Sequence, residues 1–190
     1  MKINVVGIDP ALRNFGIVHA ELNLDEFGVR VLDMHLVQSE DNAKQQKTVR
    51  KNSDDLRRAK LLHTGFMGAC KGSAFAFVEV PVGSQSARAM ASYGICVGVL
   101  AACPIPMIQV TPTEVKLAGT KIKSATKDEM IAAAVKAHPE AKWLTRQLKG
   151  ERVLLNDNEH LADALWAIYA GIKTDQFQGA VAMHKATSFA

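Results

Sequence analysis

Cysteine is scarce in this chain: Cys70, Cys96 and Cys103 cannot all pair, and none falls in a C-x-x-C spacing. That argues against a zinc site or a redox pair and leaves the three as small buried apolar groups. No apolar stretch free of charge and proline reaches the roughly 18 residues of a membrane-spanning helix, and the chain opens on a strand-like segment where a signal peptide would stand. The expectation is a soluble, intracellular, cytoplasmic protein with no membrane contact. Neither an internal repeat nor a low-complexity run is visible. Charge of one sign is in only mild excess, 23 Lys and Arg against 19 Asp and Glu for a net +4, which suits a phosphate-rich partner without demanding one. What is plentiful is apolar: 48% of the 190 residues are hydrophobic and 22% charged, enough for a sizeable core within one domain.

Ile3 to Ile8 is a nearly continuous apolar run of the kind a strand covered on both faces requires, and Asp9-Pro10 ends it. Gly16 to Leu22 and Val29 to Val37 read as two further strands in an antiparallel meander with the first. Ser39 to Lys60 is polar and basic, with Lys44, Lys47, Arg50, Lys51, Arg57, Arg58 and Lys60. It reads as a mobile loop and then a helix from about Ser53 to Cys70, started by Ser53-Asp54-Asp55. Its charge fits a solvated face and a phosphate-contacting segment equally well. Ala74 to Val80 is a fourth strand closed by Pro81, and a helix from about Ser84 to Ala101 carries the small residues Ala87, Ala91, Gly94 and Gly98. A fifth strand spans Met107 to Val110, Pro112 suits a first helical position, and Thr126-Lys127-Asp128-Glu129 is a capping box for a helix to Ala137. The last helix runs from about Asn158 to Ile172, and residues 174–190, without a clear period, read as a poorly ordered tail. The order predicts an α/β fold: a mixed sheet with helices on both faces.

Three carboxylates stand in apolar surroundings: Asp9, Glu79 after Phe75-Ala76-Phe77-Val78, and Asp163 within Leu161-Ala162-Asp163-Ala164-Leu165. An ionised carboxylate so placed costs several kcal/mol unless it is paired or holds a cation. Asp9 and Glu79 both end strands, and His160 shares a helical face with Asp163 at spacing i, i+3. Ala167, one turn on, is small enough to leave room beside them; Glu159 and Asp157 are weaker candidates. Each residue has a plainer explanation too: an Asx-turn for Asp9, an ion pair with Lys or Arg for Glu79, a helix cap or surface position for His160. Taken together they form a cluster of hard ligands suited to two Mg²⁺ or Mn²⁺ ions about 4 Å apart, the arrangement that drives in-line attack of water on a phosphodiester. The imidazole favours Mn²⁺.

Gly7-Ile8-Asp9-Pro10-Ala11-Leu12-Arg13-Asn14-Phe15-Gly16, Val78-Glu79 and His160-Leu161-Ala162-Asp163-Ala164-Leu165 resemble the RuvC-type Holliday-junction resolvases of the ribonuclease H-like superfamily, and so does the basic segment Pro112-Thr113-Glu114-Val115-Lys116 with Gly119 and Ala125-Thr126-Lys127. The resemblance runs from Ile3 to Ile172. It implies a ribonuclease H-like mixed five-stranded sheet over residues 1–173, a short tail over 174–190, and a homodimer whose two sites face two strands of a branched, four-way DNA junction. It further implies divalent-metal hydrolysis leaving 5′-phosphate ends, with Asp9, Glu79, His160 and Asp163 as catalytic metal ligands and Lys116 and Lys127 at the DNA backbone. Cellular members often carry a wedging aromatic shortly after the strand glutamate, where this chain has Val80-Pro81-Val82-Gly83-Ser84. Its basic segment around Lys44 to Lys60 is closer to the phage-like branch, and both departures point to a nuclease that reads branched shape. Two other readings stay open: an actin-like phosphotransferase, which needs a second Gly-rich phosphate loop and a longer chain, and a junction-binding module with a degenerate site.

Overall fold

The computed structural model describes residues 1–40, 51–80 and 82–188. Lys44, Lys47 and Arg50, the loop expected around them, and Pro81 lie outside the described residues. Strands β1 (Lys2–Asp9), β2 (Asn14–Asn23) and β3 (Val29–Gln38) form the antiparallel meander, and helix α1 (Lys51–Cys70) leads to β4 (Phe75–Glu79). Helix α2 (Ala87–Leu100), strand β5 (Met107–Val110) and helices α3 (Pro112–Thr120) and α4 (Lys127–Ala137) follow. A hairpin of β6 (Thr145–Leu148) and β7 (Glu151–Leu154) precedes α5 (Asn158–Gly171) and α6 (Asp175–Ser188).

The five main strands lie in the order β3-β2-β1-β4-β5. β1 pairs antiparallel with β2 and parallel with β4, and β4 pairs parallel with β5. The mixed five-stranded sheet expected from the sequence is therefore the one observed. Alternation along the strands sorts the core into two layers. Val6, Ile8, Ile17, Ala76 and Val78 pack with Leu62 and Phe66 of α1 and Cys96 and Val99 of α2. Val5, Val18, Phe77 and Ile108 pack on the opposite face with Val115 of α3, Met130 of α4 and the apolar side of α5. Burying each large side chain of this kind contributes about 1.5–3 kcal/mol. Cys70 and Cys96 belong to the first layer, and burial pushes both thiols up to about 12, so they are inert apolar fillers.

The helix starts follow local chemistry. Thr111 and Thr126 each accept a bond from the backbone N–H three residues on, while Glu114 and Glu129 reach back to the cap N–H at 2.7 Å. α1 begins at Lys51, two residues before the expected Ser53, and α2 begins at Ala87, capped by Ser86 where Ser84 was expected to open it.

Two segments differ from expectation. Residues 175–188 form helix α6, not a poorly ordered tail; Phe177 is fully buried with its ring centroid 5.2 Å from Phe75 and 5.1 Å from Phe77. Phe177 and, one turn on, Val181 dock the helix, too few apolar positions to mark a periodic stripe. The β6–β7 hairpin was not anticipated either: Lys149 and Gly150 both take positive φ, the conformation a two-residue hairpin turn requires.

Candidate active site

Strand parity decides which way the two strand-end carboxylates face. Asp9 shares its face with Val5 and Gly7, and Glu79 shares its face with Phe77, which places both on the α5 side of the sheet. The parallel register matches Ile8 with Val78, so one further residue brings Asp9 beside Glu79. The first turns of α5 lie over this edge because two glycines let the helix down onto the strands. A Cβ on Gly16 would overlap the carbonyl oxygen of His160, and one on Gly7 would overlap that of Ala164, one turn further along. Asn158 holds the start of α5: its side-chain N–H groups donate to Leu144 and Leu155 carbonyls at 2.8 and 2.9 Å, and its Oδ1 accepts from Leu144 N–H at 2.8 Å.

Asp9, Glu79, His160 and Asp163 thus meet along one cleft of about 400 Å³, whose walls also include Ala11, Tyr93, Lys127 and Glu159. His160 Nδ1 lies 2.6 Å from Asp9 Oδ2, with Nε2 3.4 Å from Glu159 Oε1. Donating through Nδ1 leaves Nε2 as the nitrogen able to ligate an ion. His160 is neither the helix cap, which is Asp157, nor a surface residue. No ion pair to Glu79 forms among the described residues, although the Lys116 ammonium acts on it from α3.

The electrostatics are those of a crowded acidic site. Burial, then the charges of Asp9 and Asp163, push Glu79 up to about 8 against the pull of Lys116. Burial and Asp9 push Asp163 up to about 7, opposed by His160. Burial disfavours the charged form of His160, but the hydrogen bond and charge of Asp9 outweigh it and raise the imidazole. Buried carboxylates that repel one another bind a divalent cation in place of protons, so the donor chemistry fits Mg²⁺ or Mn²⁺. Among the described residues no three His, Cys, Asp or Glu side chains already close around a single point, and the set faces the cleft open.

Lys127, at the start of α4, is held 2.5 Å from Glu159, and that bond raises its ammonium. Lys116 is half-buried and close enough to bias both Glu79 and Asp163. Ala167 lines no part of the cleft; it is packed in the core, because its face of α5 meets the sheet. Sequence reasoning missed Tyr93, a lone aromatic among the small residues of α2 with no spacing to single it out.

No protein-family model matches the chain, and no curated protein does. Solved structures do. RuvC of T. thermophilus in complex with a Holliday junction substrate superposes with a TM-score of 0.63 at 18% identity, over 93% of this chain and 96% of that one. A Thermus thermophilus RuvC structure gives 0.61 at 18% identity, over 95% and 97%. The fold is ribonuclease H-like. In this ribonuclease H-like frame the cleft opens at the carboxyl ends of β1 and β4, where the parallel strands meet α5. No helix among the described residues is long and apolar enough to cross a membrane.

Proposed function

We propose that this chain is a structure-selective endonuclease that resolves four-way and other branched DNA junctions, leaving 5′-phosphate ends. The observation that carries the reading is the convergence of Asp9, Glu79, His160 and Asp163 on one cleft of a RuvC-like fold. These four residues would hold two Mg²⁺ or Mn²⁺ ions. When bound, such a pair supplies the Lewis acidity for in-line attack of water on a phosphodiester. The protein's own groups orient the reaction: His160 fixes the Asp9 carboxylate, and Lys116 tempers the charge on Glu79 and Asp163. Lys127, which lines the cleft, and Lys116, half-buried on α3, would meet the DNA backbone.

Action on both strands of a junction calls for a homodimer. An apolar groove between α1 and α2 supports one, lined by Ala59, Ile95, Gly98 and Val99, with Leu56 and Val97 exposed on the same two helices. The deciding measurement is cleavage of a four-way junction beside a linear duplex of the same sequence, with Mg²⁺, with Mn²⁺ and with chelator. Metal-dependent nicking confined to the junction is expected, and Asp9→Asn should reduce it at least about 1,000-fold while junction affinity is retained. Junction binding without cleavage by the unaltered protein would reduce the reading to a binding module, and equal cutting of the linear duplex would remove the structure selectivity.

A further inference from the structure

A second cleft, of about 370 Å³, adjoins the acidic one and shares Ala11 and Tyr93 with it. Among the described residues its walls carry three arginines, Arg13, Arg58 and Arg88, and no carboxylate. Arg58 is the unusual member, since only 5% of it is exposed. Its Nε donates to Ser39 Oγ at 3.0 Å, and Ser39 Oγ in turn donates to the Leu12 carbonyl. Neighbouring acids are already taken: Asp54 binds Arg57 at 2.8 Å, and Asp55 holds both terminal nitrogens of Arg88 at 2.5 and 2.7 Å. No carboxylate pairs with Arg58 among the described residues. A buried guanidinium costs several kcal/mol without an anion, and among the described residues no buried side-chain nitrogen lacks a partner. Among the described residues Arg58 makes no side-chain hydrogen bond other than the one to Ser39, and its side chain lines the cleft.

We propose that this cleft is a phosphate-binding subsite that seats a backbone phosphodiester of the strand being cut, close to the bond held in the acidic cleft. The guanidinium fork matches phosphate geometry, with Arg58 fixed by Ser39 at the floor and Arg13 exposed at the rim. Arg88, clamped by Asp55, borders the cleft as a neutralised pair and leaves the phosphate to Arg13 and Arg58. Tyr93, on the dividing wall, faces the nucleotide that joins the two sites. The subsite fixes the register of the strand: a phosphate seated among the arginines leaves its neighbour over Asp9 and Glu79. The inference rests on the nuclease reading.

The test is phosphate-by-phosphate neutralisation. Junction affinity is measured without divalent ions on substrates carrying one methylphosphonate at each position around the cut. For the unaltered protein a single position near the cut should lose about 10-fold in affinity, the worth of one charge-assisted contact. Arg13→Ala and Arg58→Gln should each weaken the unmodified junction by a similar factor and become indifferent to methylphosphonate at that position. Arg58→Lys, which keeps the charge but loses the fork, should shift the cut-site distribution under Mg²⁺. Arg13 is exposed, so its variant tests the subsite even if the Arg58 variants fail to fold. Full additivity of Arg13→Ala with every methylphosphonate, alongside intact junction cleavage, would overturn the subsite and leave the nuclease reading standing. Absence of junction binding by the unaltered protein would overturn both.

Discussion

Glu79 and Asp163 hold their protons more tightly in the folded protein than in an unfolded chain, because burial and mutual repulsion raise both above the free values of 4.5 and 3.8. The stability this gives the metal-free fold is complete at acid pH and is lost as pH rises toward about 8. Glu79→Gln removes the burden, so it should stabilise the chelator-treated protein by on the order of 1–3 kcal/mol near pH 8 and by much less near pH 5. Melting curves at the two pH values check this, and an equal shift at both would mean the carboxyl is not strained. His160 offers a separate lever. With Nδ1 engaged by Asp9, Nε2 is the nitrogen left to ligate an ion under the proposed mechanism, so His160→Asp should retain cleavage with a raised Mg²⁺ to Mn²⁺ activity ratio, and His160→Ala should cost far more. Rates with both ions on one junction decide it; an unchanged ratio in His160→Asp would remove the residue from the ligand set.

At the scale of elements, the depth at which α5 sits on the sheet governs the site. Gly7→Ala places a methyl against the Ala164 carbonyl, a backbone group that cannot turn aside, and should destabilise by about 3 kcal/mol or more while lifting His160 and Asp163 off the strand ends. Gly28→Ala meets nothing within 4 Å and is the control; urea unfolding and cleavage of both variants check the contrast. Much of this element plan was legible in residues: Asp9-Pro10 marks the end of β1, the run from Phe75 to Glu79 marks β4, and the Thr126 box marks α4. The glycine contacts were not, since strand pattern shows where a side chain is missing but not which helix fills the space. Helix α6 escaped notice because only Phe177 and Val181 anchor it in the core, too few for a periodic stripe, and the β6–β7 hairpin because its strands are mostly exposed and carry little apolar alternation. The carboxylates stood out as charges in apolar runs, whereas Arg58 lay hidden in a basic stretch whose solvated members look identical to it.

For the whole molecule, a net charge of +4 is small, so the proposed DNA binding would depend on where the cations sit. Lys116→Ala and Lys127→Ala should each flatten the plot of log affinity against log salt by about 0.9 if the lysine neutralises one phosphate. Lys127 must leave Glu159 to do so, and Lys127→Ala should therefore weaken binding less than Lys116→Ala. Titrations at several salt concentrations measure both slopes, and unchanged slopes would carry the DNA path elsewhere. The site itself joins distant stretches of chain, with Asp9 and Glu79 in the first half and His160 and Asp163 on α5 near the end. Because a protein is made from its N-terminus, both strands leave the ribosome well before the helix that completes the cleft. A product of interrupted translation that stops before Asn158 keeps the basic residues of α3 and α4 but has no complete acidic set. An unfinished copy of this chain therefore carries the two strand carboxylates without the helix that completes the candidate metal-binding cleft.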